Sequence, residues 1–339
     1  MRSTARGLAN SRVLVTGATG FIGRRLVQRL RDLNVADLRL LVRNPARARD
    51  LEDSGILLFQ GDLASASALR AAGRGCDFVF HLAALTRARS REEMFQANAE
   101  GTGTLARIVR EVAPDLRRFV HVSSLAAVGP SRRGAPVDER AACQPGSWYG
   151  ASKWAAERLL ESELAEAIPW TIVRPPAVYG PGERDLLTMF KLVKRGMAPL
   201  LGSGPKELSF VYSEDLVEAL VRVAVAEPCA RGRFFVAHPE IATDESFLDA
   251  IGRAMGTRFR RPRLPSALGW GLGAINSCFL GPFLRRPPLM TWQRMKELAP
   301  SAWTCSPLAL EKALDWRCPT GLAEGVPATL TWYRDQNWL

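Results

Sequence analysis

The sequence predicts an α/β protein whose core is a doubly wound parallel sheet, and three observations lead there. Short, almost continuously apolar runs recur through the first half of the chain. Helical patterns separate them, and a glycine-rich turn joins the first run to the first helix. Strands that are apolar along both faces belong to a sheet buried on both sides, and parallel strands need right-handed helical crossovers between them.

Taken in order, Ser11–Thr16 reads as the first strand and Phe21–Leu33 as an amphipathic helix. Strands follow at Leu38–Val42, Ile56–Gln60, Asp77–Leu82 and Arg117–Ser124, with helical patterns around Ala64–Ala72 and Glu92–Glu111 between them. A helix over Tyr149–Ala167 leads to a strand at Trp170–Pro175. Loops rich in Gly and Pro then surround a helix near Asp185–Arg195, and residues 208–226 return to a strand and a helix. From about Pro239 a smaller C-terminal region is expected to cover the carboxyl ends of the strands.

Bulk properties narrow the function classes. Of 339 residues 47% are hydrophobic and 24% charged, ordinary for a globular protein with a sizeable core. Six scattered cysteines without a C-x-x-C pair, and only three histidines, predict no metal site and a reduced, cytoplasmic setting. The basic first dozen residues lack the apolar stretch of a secretory signal. A formal charge of +12 calls for an anionic partner: a phosphorylated cofactor, a membrane surface or nucleic acid. The arginines are dispersed and no nucleic-acid-binding motif occurs, so a solvated basic surface is expected and nucleic acid is not.

The chemistry begins at TGATGFIG, Thr16–Gly23, between the first strand and the first helix. Gly17 permits the tight turn, Gly20 lets the backbone approach a pyrophosphate, and Gly23 lets the helix pack on the strand. Phe21 and Ile22 open the helix whose positive end meets the phosphates. This makes the sheet Rossmann-like and residues 1–180, with the returning elements near 207–238, a dinucleotide-binding region. Residues 181–206 and 239–339 then form the substrate-binding region. The second strand ends in Arg43, with Arg47 beyond it, where a carboxylate would select NAD; a guanidinium instead suits the 2′-phosphate of NADP(H). Asp62 and Leu63 follow the third strand, where a short acid accepts from an adenine amino group or caps a turn. Small residues about Ala83 let the backbone approach the cofactor after His81, which reads as a packed core histidine.

Tyr149 and Lys153 stand four residues apart on a helix, hence on one face. An ammonium beside a phenol stabilises the tyrosinate and is expected to bring its pKa down from about 10, making Tyr149 a proton donor and acceptor. Lys153 can also hold ribose hydroxyls. Ser123 and Ser124, ending the fifth strand, offer hydroxyls to a substrate oxygen.

TGATGFIG, GDL, HLAA, VSS followed by LAAVG, YGASK and RPPAVYGPG occur in the order and spacing of the extended short-chain dehydrogenase/reductase family, which the chain resembles from Arg12 to Leu220. The resemblance implies Tyr149 as proton donor/acceptor, Lys153 as its activator and Ser124, with Ser123 beside it, as the catalytic hydroxyl. It implies Asn98 as support behind the site, Pro175 and Val178 as neighbours of the nicotinamide, and a dimer through paired long helices. A member that binds NADPH without turnover is the alternative the intact triad argues against.

Nucleotide-sugar members of that family carry a diphosphate-clamping arginine where this chain has Leu208, although Lys206 could partly substitute. The uncharged run 264–284, flanked by arginines, is long enough for about one bilayer crossing but is broken by Pro265, Pro282, glycines and Asn276. It reads as an apolar lid of the substrate pocket, as a segment resting on an anionic membrane surface, or as core or an oligomer contact. The final segment resembles those of 3β-hydroxysteroid dehydrogenases and dihydroflavonol reductases, with Trp316, Trp332, Tyr333 and Trp338 as packing residues. The expectation is therefore an NADP(H)-dependent oxidoreductase for a small lipophilic ketone or alcohol, such as a sterol, terpenoid or long-chain β-keto compound. The rival is a nucleotide-sugar epimerase or dehydratase.

Overall fold

The structure, a computed structural model, describes residues 7–51, 55–277 and 290–339. Seven parallel strands form the central sheet: β1 (Arg12–Thr16), β2 (Asp37–Val42), β3 (Ile56–Gln60), β4 (Phe78–His81), β5 (Arg118–Val122), β6 (Trp170–Arg174) and β7 (Gly232–Phe235). Their order is β7-β6-β5-β4-β1-β2-β3, so the direction of winding reverses between β1 and β4. A crevice opens at the carboxyl ends of strands flanking such a switch point.

Alternation along the strands builds the two apolar layers. Val13, Val15, Phe78, Phe80, Val120 and Val173 face one core, closed by α1 (Phe21–Asp32) and by the helix Ser213–Val225. Leu14, Val79, Phe119 and Ile172 face the other, closed by α2 (Ala66–Gly73), α3 (Gly101–Val112) and α4 (Trp148–Leu164). Burial on both faces is the reason these strands read as unbroken apolar runs.

Two elements differ from the sequence expectation. The strand that returns to the sheet is Gly232–Phe235, not the one near residue 210. Phe210–Tyr212 instead pairs in parallel with Ala177–Tyr179 outside the main sheet. The segment expected as a single helix over 92–111 is broken: Arg91–Phe95 and α3 are joined through one π-type turn, Gln96–Glu100. Such turns insert a residue into the helical ladder and re-aim side chains.

The C-terminal region packs around Tyr179, Phe190, Phe210, Phe247 and Tyr333 on the helices Asp244–Met255 and Leu322–Asp335. Tyr333 stacks on Trp338, which meets Trp332 edge-on, and Arg222 covers the Trp316 ring. All four aromatics pack the fold. Of the uncharged run 264–284, residues through Ser277 are described, mainly as the helix Ser266–Ile275; 278–284 lie outside the described residues. Among the described residues no helix is long and apolar enough to cross a membrane, and no cluster of His, Cys, Asp and Glu could hold a metal.

Candidate active site

At the switch point the turn after β1 is held close to the end of β4. Gly17 has φ +77°, and a Cβ there would stand 2.7 Å from the Ala83 amide nitrogen. A Cβ on Gly23 would strike the Gly17 carbonyl oxygen, so α1 can lie against the turn only with glycine at that position. Gly20 is the N-cap residue; it lends α1 no side-chain cap, and the first turn carries no acid. Uncapped N–H groups and the positive helix end suit a bound anion. Arg43 is exposed just beyond β2, and its charge helps hold Asp62 below the usual carboxylate range, after the stronger hydrogen bond from Ser65. Asp62 Oδ1 accepts from the Ala64 amide at 3.0 Å and the Ser65 hydroxyl at 2.8 Å, so this aspartate caps its own turn. Leu63 packs on Gly101 at the start of α3, and Val178 borders the core beneath the crevice. Buried Pro175 accepts the Leu125 amide at 2.9 Å, tying the end of β6 to the segment after β5.

Tyr149 and Lys153, expected from the sequence to act with Ser124, stand on α4, and Ser124 stands on the turn after β5. Ser147 caps α4 by accepting the Gly150 amide at 3.1 Å, placing Tyr149 in the first turn and Lys153 one turn on. A Cβ on Gly150 would strike the Ala126 carbonyl oxygen, so this glycine lets α4 close on the turn that carries Ser124. Ser124 Oγ accepts the Ala126 amide at 3.1 Å. Lys153 is 2% exposed and donates to the Val122 carbonyl at 2.7 Å. Burial pulls its ammonium down to about 8, against a smaller upward effect of Glu157.

The Tyr149 phenol does not move as the sequence suggests. Burial pushes it up to about 12, and Glu297 adds to the rise while Ser124 and Arg294 oppose it. Lys153 has spent one donor on the backbone. The phenol is therefore a protonated donor at neutral pH, the state that ketone reduction requires.

Asn98 stands in the π-type turn and is 1% exposed. Its amide donates to Ser152 Oγ and to the Leu85 carbonyl, both at 2.9 Å, and its Oδ1 accepts the Leu85 amide at 2.7 Å. It braces the loop after β4 against α4 through Ser152, whose hydroxyl donates to the Tyr149 carbonyl at 2.8 Å. Ser123 is 3% exposed, and its hydroxyl donates to Glu157, which also holds Arg174 at 2.6 Å in a pair only 1% and 3% exposed, so that donor is engaged within the fold. His81 is wholly buried between Thr16 at 2.6 Å and Thr102 at 2.8 Å, and stacks on His121.

Glu157, Arg174, Ser147 and Glu297 are the contributors that sequence reasoning missed. Glu297 accepts the Ser147 hydroxyl at 2.8 Å and the Arg294 guanidinium at 2.7 Å, while Gln293 Oε1 accepts the Trp148 amide at 3.0 Å. The helix Trp292–Leu298 is thereby docked onto the N-terminus of α4. No local pattern signals a contact across this much sequence. On the opposite side Leu208 is half-buried in a short strand between Ala242 and Trp303, and the Lys206 ammonium donates to the Leu298 carbonyl.

The chain is similar to known proteins over most of its length. The model of the NAD dependent epimerase/dehydratase family matches residues 13–234. The ceramide reductase of Caulobacter vibrioides is 29% identical over 100% of this chain and 98% of its own length. The 2-alkyl-3-oxoalkanoate reductase of Shewanella oneidensis is 25% identical over 78% of this chain and 71% of its own. Among solved structures, MoeE5 in complex with UDP-glucuronic acid and NAD superposes with a TM-score of 0.75 at 24% identity, covering 96% of this chain and 99% of that one. At that identity the likeness concerns the fold.

Proposed function

The chain belongs to the NAD dependent epimerase/dehydratase family, and from that membership we propose that it is an NADP(H)-dependent reductase of a ketone on a bulky, lipophilic substrate. The observation that carries this reading lies on the substrate side. Leu208 stands at the sequence position where nucleotide-sugar members of the family would carry a guanidinium, and packs against the C-terminal core, while Lys206, the nearest substitute, is bound to a backbone carbonyl. Both relatives described above are named as reductases, one of ceramide and one of 2-alkyl-3-oxoalkanoate.

The pyrophosphate would rest on the turn Gly17–Gly23, the adenosine ribose phosphate against Arg43, the adenine near Asp62 and Leu63, and the nicotinamide among Ala83, Pro175 and Val178. When bound, the nicotinamide supplies the hydride. Tyr149 gives its proton to the carbonyl oxygen, and Ser124, whose lone pair already accepts the Ala126 amide, donates its O–H to that oxygen. Lys153 keeps two N–H donors for the ribose hydroxyls and stabilises the tyrosinate that remains.

Titration with NADPH, NADH and UDP, followed by tryptophan quenching, tests the assignment. Wild type binds NADPH tightly and ignores UDP, and Arg43→Ala weakens NADPH binding by roughly tenfold or more, as expected for a lost charge-assisted pair. Tyr149→Phe binds the cofactor normally and loses turnover of a lipophilic ketone. Preferential NADH binding with a UDP response would move the protein to the nucleotide-sugar branch.

A further inference from the structure

The helix Ser266–Ile275 is built inside out. Its buried positions are Gly269 and Gly273. A Cβ on Gly269 would come within 2.8 Å of Met295, and one on Gly273 within 3.1 Å of the Thr291 backbone. Glycine at both places lets this helix lie tight on Trp292–Leu298. Leu268, Leu272 and Ile275, at i, i+4 and i+7, form the opposite face and are 55%, 56% and 51% exposed. A helix of a water-soluble surface turns its large apolar residues inward; here they point outward.

The outward face is held in place. The Asn276 amide donates to the Met290 carbonyl at 2.8 Å, and the Trp292 amide donates to Ser277 Oγ at 2.9 Å. Trp292, itself exposed, lies with its ring 4.5 Å from that of Trp270. Exposed Leu264 precedes the helix, and exposed Met197 sits opposite Arg260 across a parallel bridge.

The segments that form this ridge carry a surplus of positive charge. The two segments that build it, residues 188–206 and 256–277, contain no Asp or Glu but carry Lys191, Lys194, Arg195 and Lys206, and Arg258, Arg260, Arg261 and Arg263. Arg261 is paired with Asp249 and Arg263 with Glu245, whereas Arg258 and Arg260 have no acidic partner among the described residues. Exposed apolar residues with an exposed tryptophan, on segments that also carry arginines without an acidic partner, match the boundary between acyl chains and anionic headgroups.

We propose that the Leu268–Leu272–Ile275 face, with its Arg258/Arg260 rim, docks this protein on the surface of a bilayer containing anionic lipids. The helix Trp292–Leu298, on which this face is packed, reaches the N-terminus of α4 through Gln293 and Glu297, so docking would put the lipid surface near that end of α4. Any bearing of that proximity on substrate entry rests on the lipophilic-substrate reading; the docking itself does not.

Flotation of the full chain with vesicles of phosphatidylcholine alone, and of phosphatidylcholine with 30% phosphatidylglycerol, tests it without any substrate or cofactor. The expected result is binding to the anionic vesicles that falls as salt rises. Leu268→Ser/Leu272→Ser should reduce it roughly tenfold or more, and so should Arg258→Glu/Arg260→Glu, which leaves the helix untouched. Unchanged NADPH binding and melting temperature would show that both variants are folded. Absence of wild-type binding overturns the proposal, as does binding that either variant retains in full. A dimer in light scattering that Leu268→Ser/Leu272→Ser dissociates, without vesicle binding, also overturns it and assigns the face to a second copy of the chain.

Discussion

Lys153 shows how much the site depends on a single buried charge. An ammonium at 2% exposure keeps its proton only up to about pH 8 because burial disfavours the charged form. Tyr149, pushed up to about 12, stays protonated throughout the working range. The kcat/KM for ketone reduction should therefore hold level at neutral pH and fall above about pH 8, as Lys153 loses the charge that stabilises the departing tyrosinate. A profile level to pH 10 would show that Lys153 does not titrate in the free enzyme. In the sequence, Tyr149, Lys153 and Ser124 were legible from their spacing and motifs. The displacement of the phenol pKa was not, because it comes from burial and from Glu297, a residue about 150 positions away.

At the level of elements, α4 is the part on which the site is built. Its N-cap hydroxyl is shared: Ser147 Oγ accepts the Gly150 amide and donates to Glu297. Glu297→Ala should release the docked helix, lower the melting temperature by a few degrees and cost on the order of 1 kcal/mol. Removing that negative charge also favours the tyrosinate, so the pH dependence of alcohol oxidation should shift to lower pH. Glu297→Gln should restore most of the stability, since its amide oxygen still accepts the Ser147 hydroxyl, but should keep the shifted profile. An unshifted profile in both variants would remove Glu297 from any influence on Tyr149. The π-type turn before α3 belongs to the same scale: amino-acid periodicity reads through it as one helix, and its role in aiming Asn98 is seen only once Ser152 is placed opposite.

For the whole molecule, the buried histidines set an acid limit. His81 is lowered to about 3 and His121 well below its ordinary value, both chiefly by burial, and among the described residues neither His121 nitrogen has a hydrogen-bond partner. The unfolded chain binds protons near pH 6.5 that the folded chain refuses. Their contribution is thus fully present above about 6.5 and is lost as pH falls toward 3. By pH 5 His81 should cost about 2 kcal/mol, and His121 acts in the same direction. Urea midpoints at pH 7.5 and 5 measure this, and His121→Leu should flatten the slope; equal midpoints in wild type would refute it.

Short-range rules were enough for the strands of the sheet, the glycine turn and the Tyr–Lys pair. A strand buried on both faces must be apolar throughout, a tight turn against β4 must be glycine, and two residues four apart share a helix face. The sequence alone thus determined the winding of the fold and the glycine turn at its switch point. Tertiary structure decided what lies beyond the reach of any local pattern: that Gly232–Phe235 closes the sheet, that the Ser123 hydroxyl is engaged by Glu157, and that Lys206 is already bound. It also decided that a glycine-faced helix turns its leucines to the outside. Each of these depends on which distant surface a side chain meets, and only the packed chain brings those surfaces together.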